Sequence, residues 1–226
     1  MTQKVKKGDF IELDYTGETR EPRVVFDSTS AEVAKKEGFF SKKMRYGPLV
    51  ICVGYNQILK GLDDSLEGLE IGKEATIKLP AERAFGKKSA ANMKLVPRSV
   101  FMKNNIRPEV GLQVQVGGMV GTVKTVSSGR IIVDFNHPLA GKDVIYKVHI
   151  HKRIDDDATK VKHFVAMSLN LDPQKVEVTL KDGKPTIDIP GKFPQPLLDH
   201  IGKRLVEAVP GLKEGTLTAK EESKEH

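Results

Sequence analysis

The stretch that decides the fold is Tyr46–Gly86, which reads YGPLVICVGYNQILKGLDDSLEGLEIGKEATIKLPAERAFG. Pro48–Val53 is a compact apolar run between Gly47 and Gly54, and it predicts a strand. Gln57–Leu66 places Ile58, Leu59, Leu62 and Leu66 on one stripe of a short helix, with Asp63, Asp64 and Glu67 on its wet side. Ala75, Ile77 and Leu79 then alternate with polar residues, as in a strand with one buried face. A helix this short is marginal alone, so a sheet must cover it.

The run VGYNQILKGLDDSLEGLEIGKEATIKLPAERAFG resembles the central segment of the FKBP-type peptidyl-prolyl isomerases, which lines an apolar pocket for a proline side chain. Outward from it, the resemblance extends to GDFIELDYTGET, the manner in which the family's first strand begins, and to Val25-Phe26-Asp27-Ser28-Thr29. Read without the family, Tyr15 is a strand aromatic and Asp27 a turn or cap residue. The resemblance makes both pocket residues. Residues 31–47 exceed the compact family pattern and suggest a helical turn or two in an inserted bulge, with Phe39-Phe40 as a local plug.

After Phe85-Gly86 the pattern breaks, and about 50 residues intervene before NHPLAGKDVIYKVHIHKRI resumes it. They hold several short alternating segments separated by Gly-Gly, Ser-Ser-Gly and Arg-Pro turns, enough for a small β-rich domain. The arrangement resembles the SlyD-type branch, in which a domain inserted in the flap binds unfolded chains. Residues 1–86 and 135–154 would then form the isomerase domain and 87–134 the insert. In 155–226, two amphipathic segments flank two strands joined at Lys181-Asp182-Gly183-Lys184, which predicts a separate α+β module for dimerisation or docking. That module is similar to the extra C-terminal domain of long archaeal members. The fold class is α+β: an antiparallel sheet around a short helix, a β-rich insert and a C-terminal α+β module.

Carried over residue by residue, the resemblance implies a pocket of Tyr15, Phe26, Asp27, Leu49, Ile51 and Ile58, completed by Leu59, Leu62, Phe85, Leu139 and Tyr146. Leu62 stands where many compact members have Trp, and Leu49 where an aromatic is common, so tight macrolide binding is placed in doubt more than turnover. Most of these residues would equally suit a plain hydrophobic core. Client binding is expected at Met93, Leu95, Val96, Val100, Phe101 and Met102, with about half of them serving as the insert's own core. The resemblance implies no cofactor and no metal. His149 and His151, two apart on one strand face, have metal-compatible spacing but no third ligand nearby in sequence, so a structural role is preferred.

Composition is consistent with this. The chain has 226 residues, 38% of them hydrophobic and 30% charged, as in a folded soluble protein. It shows no signal-peptide pattern and no apolar run of membrane-spanning length, so a cytoplasmic setting is expected. Cys52 is the only cysteine, which excludes an internal disulfide. Residues 1–154 carry 26 basic against 17 acidic residues, a net +9, whereas 155–226 carry 11 against 13, a net −2. No nucleic-acid motif accompanies the basic half, so a solvated surface is preferred over nucleic-acid binding. The expected function is cis/trans isomerisation of X–Pro bonds in unfolded or partly folded chains, with chaperone activity from the insert. The alternative is a holdase or adaptor on the same scaffold with little turnover.

Overall fold

The structure, a computed structural model, describes residues 3–220. The chain divides into two compact units, one made of the segments before Pro80 and after Asp143, the other of Pro80–Asp143.

The first unit begins with β1 (Phe10–Thr19), β2 (Val25–Ser28), the bulge helix α1 (Ala31–Lys36), β3 (Leu49–Cys52), the one-turn helix α2 (Lys60–Asp63) and β4 (Glu74–Leu79). In the second unit β5 (Met93–Pro97), α3 (Arg98–Lys103), β6 (Gln113–Val116), β7 (Met119–Val126) and β8 (Arg130–Asp134) follow. The first unit resumes with β9 (Val144–Arg153), α4 (Asp157–Leu169), β10 (Glu177–Lys181), β11 (Lys184–Pro190), α5 (Gln195–Ala208) and β12 (Leu217–Lys220).

Five strands form an antiparallel sheet in the order β2-β1-β9-β4, with β3 pairing the first part of β1. β9 is therefore central although it comes last of the five. Leu79 and Val144, the residues on either side of the second unit, face each other in register across the β4–β9 pair. Alternation sends Leu13, Ile77, Leu79, Val148 and Ile150 inward, all nearly inaccessible to solvent. The expected helix over 57–66 is shorter than its apolar stripe. Gln57 is held by β3, its Oε1 accepting from Cys52 N at 2.7 Å, and Leu59 keeps an extended ψ of 124°.

Residues 155–220 form the expected α+β arrangement, but not a separate body. Asp156 caps α4 by accepting from Thr159 N at 2.8 Å, and β10–β11 turn through Asp182 and Gly183, both at positive φ. The buried side chains of α4 and α5, such as Val161, Phe164, Val165, Ile201 and Leu205, share one cluster with Phe10, Val50 and Cys52 of the isomerase sheet. Phe10 and Phe164 have ring centroids 6.3 Å apart. The module has its own three-stranded sheet, yet β3 presents it with a second apolar face, and the shared core removes the expected boundary.

The second unit spans 80–143 rather than 87–134. Its base is tied inside the unit: Ala81 N donates to Asp143 Oδ1 at 3.0 Å, Gly141 N to Gly86 O at 2.8 Å and Ser89 N to Asn136 Oδ1 at 2.8 Å. The four strands run in the order β5-β8-β7-β6 over a core of Val96, Phe101, Val114, Val123, Ile131 and Val133. Among the described residues no helix is long and apolar enough to cross a membrane.

Candidate active site

The sheet register assembles the site. Gly17 pairs with Asp27 on one side and with Tyr146 on the other, so the three share one row across β2, β1 and β9. The next inward position on β1 is Tyr15, opposite Val148. Its hydroxyl donates to Asp27 Oδ2 at 3.0 Å. Tyr146 receives two edge-on rings, Tyr15 at 5.7 Å and Phe26 at 5.9 Å. Such T-shaped pairs set the positive ring edge against a negative face and fix mutual orientation. Gly17 makes the aromatic wall fit: a Cβ there would lie 2.7 Å from Tyr146 Cε1 and 3.0 Å from Phe26 Cζ.

The wall is dry enough to perturb its acids. Burial holds the Asp27 carboxyl above its usual range, with the Tyr15 hydroxyl and the Ser28 backbone N–H partly offsetting the rise. Burial, then the Asp27 charge, pushes the Tyr15 and Tyr146 phenols well above theirs, so both stay protonated hydrogen-bond donors.

A tight loop leads from β3 to α2, and Ile58 and Leu59 at its end are both half-buried. Gly54 and Asn56 take positive φ, 86° and 54°. Asp63, 0% exposed, stabilises that shape by accepting from Gly54 N at 2.9 Å and Asn56 N at 2.7 Å. This corrects the wet-side placement of Asp63. Only one helical turn forms, and the carboxylate folds back onto the preceding loop instead of facing water.

Of the eleven expected pocket residues, Tyr15, Phe26, Asp27 and Tyr146 are joined by direct contacts. Ile51 and Leu62 are core residues at 1% exposure each. Leu49 lines a different cleft, of about 490 Å³, with Arg45, His163 and Met167. Phe85 and Leu139 belong to the second unit, where Phe85 stacks on His137 at 4.7 Å. Of the expected client-binding residues, Met93, Leu95 and Met102 are exposed, Val100 is half-buried, and Val96 and Phe101 are insert core. Sequence reasoning missed Gly17, although a glycine inside a strand signals a close approach.

The outer sheet face carries a groove of about 820 Å³ lined by Asp14, Thr16, Glu74, Thr76, Lys147 and His149, with Tyr46 and Pro48 as a wall. His151 Nε2 lies 2.7 Å from Asp14 Oδ2, and Thr29 Oγ1 donates to Asp14 Oδ1 at 2.7 Å. These contacts tie β9, β1 and the chain after β2 together on the face opposite Tyr15 and Tyr146.

A family model described as FKBP-type peptidyl-prolyl cis-trans isomerase matches residues 1–105, and one described as FKBP26, IF domain matches residues 94–139. The FKBP-type 16 kDa peptidyl-prolyl cis-trans isomerase of Escherichia coli is 31% identical over 129 residues, 55% of this chain and 80% of that protein. The chain belongs to the FKBP-type peptidyl-prolyl cis-trans isomerases. It is also similar to the short-type peptidyl-prolyl cis-trans isomerase of Methanocaldococcus jannaschii, 27% identical over 150 residues, 66% of this chain and 94% of the relative. The SlyD isomerase of Helicobacter pylori is 32% identical over 108 residues, 46% of this chain and 57% of that one.

Proposed function

We propose that the chain isomerises X–Pro bonds against the wall of Tyr15, Phe26, Asp27 and Tyr146, and that residues 80–143 hold unfolded client chains for it. The observation that carries the pocket reading is the cross-strand row Asp27–Gly17–Tyr146, with Tyr15 bonded to Asp27. Rotation about an X–Pro bond breaks amide resonance, against a barrier of about 18–20 kcal/mol. The planar amide is more polar than the twisted one. A dry aromatic wall therefore disfavours the planar ground state relative to the transition state. Asp27 orients Tyr15 and biases the local field. No proton needs to change hands, so its raised carboxyl sets charge and not acid–base timing. Ile58 and Leu59 contribute apolar surface beside the proline ring.

The client reading is supported by the surface of the second unit. Met93, Leu95, Met102, Val110, Met119 and Val120 are exposed, with Lys94, Arg98 and Lys103 among them. Flexible sulfur-containing and aliphatic side chains suit sequence-tolerant capture, and the cations add attraction at longer range. The bond between Ser89 and Asn136 makes the test feasible, because a short turn can replace residues 90–135 between them. The shortened protein is expected to keep its activity on a proline-containing tetrapeptide and to lose most of its catalysis of proline-limited refolding, because the insert raises local client concentration. Unchanged refolding catalysis rules out the client role. Equal loss on both substrates assigns the insert to the pocket instead.

A further inference from the structure

The loop that ends at Ile58 and Leu59 is gripped from an unexpected direction. Arg204 Nη2 on α5 donates to the backbone carbonyl of Tyr55 at 2.5 Å, spanning 149 residues of sequence. Its guanidinium carbon sits 5.9 Å from the Tyr55 ring centroid and 6.0 Å from that of Phe164 on α4. Those two rings meet edge to face at 5.8 Å, so the cation stands over a pair whose orientation is already fixed. Asp63 holds the same loop through the N–H groups on either side of Tyr55, those of Gly54 and Asn56. Gln57 closes it onto β3 through Cys52 N. Arg204 supplies what these two do not, a donor for the Tyr55 carbonyl between the two left-handed residues.

We infer that Arg204 is a positioning residue for the isomerase: from the C-terminal helix it fixes the Tyr55 peptide and, through the tight turn, the placement of Ile58 and Leu59. The inference rests on the pocket reading above. A guanidinium suits the task because its planar donors are pre-organised and its face stacks on aromatic rings, whereas a lysine ammonium makes a point contact on a flexible stem. The C-terminal segment is then part of the catalytic apparatus as well as a partner in the shared core.

The test compares Arg204→Met and Arg204→Lys with the full chain, at a temperature where circular dichroism shows each to be folded. On a proline-containing tetrapeptide, Arg204→Met is expected to lose kcat/KM about tenfold, because misplacement of contacting groups by a fraction of an ångström is felt in turnover. Arg204→Lys is expected to recover part of that loss. Amide hydrogen exchange at Asn56, Gln57 and Ile58 should quicken in the same order. Ile187→Val, on β11 of the shared core, serves as the structural control, since it removes packing but leaves the carbonyl bond and both rings: its melting temperature should fall while kcat and KM hold. Wild-type kcat and KM in folded Arg204→Met overturn the inference. So does an activity loss that merely follows the unfolded fraction. Should Arg204→Met fail to fold, Arg204→Lys decides alone, and wild-type exchange and kinetics there overturn the inference. Failure of the pocket reading is distinguishable, because Phe26→Ala would then retain full activity while the Arg204 variants still loosened the loop.

Discussion

Gly17→Ala is the sharpest perturbation of the aromatic wall. The added methyl would stand 2.7 Å from Tyr146 Cε1 and 3.0 and 3.2 Å from two Phe26 ring carbons, where ordinary contact begins at 3.4 Å. Tyr146 must therefore retreat by about 0.7 Å. It is 2% exposed and has the Tyr15 ring against it, so the retreat meets packed atoms. Overpacking of this kind costs about 1–3 kcal/mol. Replacing glycine by alanine in extended backbone returns about 0.5–1 kcal/mol. The balance is a loss of roughly 0–2.5 kcal/mol, at about 2–4 °C in Tm for each kcal/mol in a chain of this size. Activity should suffer more than stability, because an ångström of misplacement can cost about a hundredfold. We expect kcat/KM on a proline-containing tetrapeptide to fall about ten- to a hundredfold while the protein stays folded. Gly129→Ala, with nothing within 4 Å of the added carbon, is the matched control. Activity within twofold of wild type, with an unchanged melting temperature, would refute the closed packing of Tyr146 and Phe26 around Gly17.

Two further outcomes follow from the same geometry. Burial raises the Asp27 carboxyl, so the wild-type fold is favoured below the unfolded carboxyl value, about 3.9, and loses that advantage as pH rises through the folded value. Asp27→Asn should therefore be more stable than wild type at pH 7, less active on the tetrapeptide, and no more stable near pH 3; pH-dependent thermal melts check this, and an equal difference at both pH values contradicts it. Removing residues 155–226 should expose Phe10, Val50 and Cys52, at about 1.5–3 kcal/mol for each large side chain. In the whole chain burial pushes the Cys52 thiol up to about 12 and keeps it inert, so rapid thiol labelling of the truncated protein alone is the expected readout, and a slow, well-folded truncation product contradicts the shared core.

Much of the site was legible because register carries chemistry. Alternation assigns Tyr15 and Tyr146 to one face, but Phe26 and Asp27 are neighbours on β2 and both reach the wall where the β1–β2 register shifts between Gly17 and Glu18. What the sequence concealed was partnership. The stripe on Asp157–Leu169 announced a buried face but not what would cover it, and a module of its own was the natural inference. The missing signal was in β3: Leu-Val-Ile-Cys is apolar without alternation, as in strands buried on both faces. Asp63 and Arg204 escaped for a related reason. Helical spacing describes a long helix, whereas α2 is one turn whose carboxylate serves a loop. No local pattern connects a guanidinium to a carbonyl 149 residues away. Leu49 was aligned correctly as a strand residue, but the bulge over 31–47 and α4 give it a cleft of its own.

The central position of β9 bears on how the chain is made. β1 and β4 flank a strand that the ribosome adds only after all of Pro80–Asp143. At about 5–20 residues per second, β4 waits roughly 3–13 s for β9 to begin, and the second unit is complete about 0.5–2 s before β9 ends. Two of that unit's three pairings are sequence-local hairpins, the kind that form fastest, and the third joins β5 to β8 with Met93 opposite Asp134. During that interval the early strands wait as unpaired edges, open to wrong partners. The nascent protein is thus, for a time, itself an incompletely folded, proline-containing polypeptide.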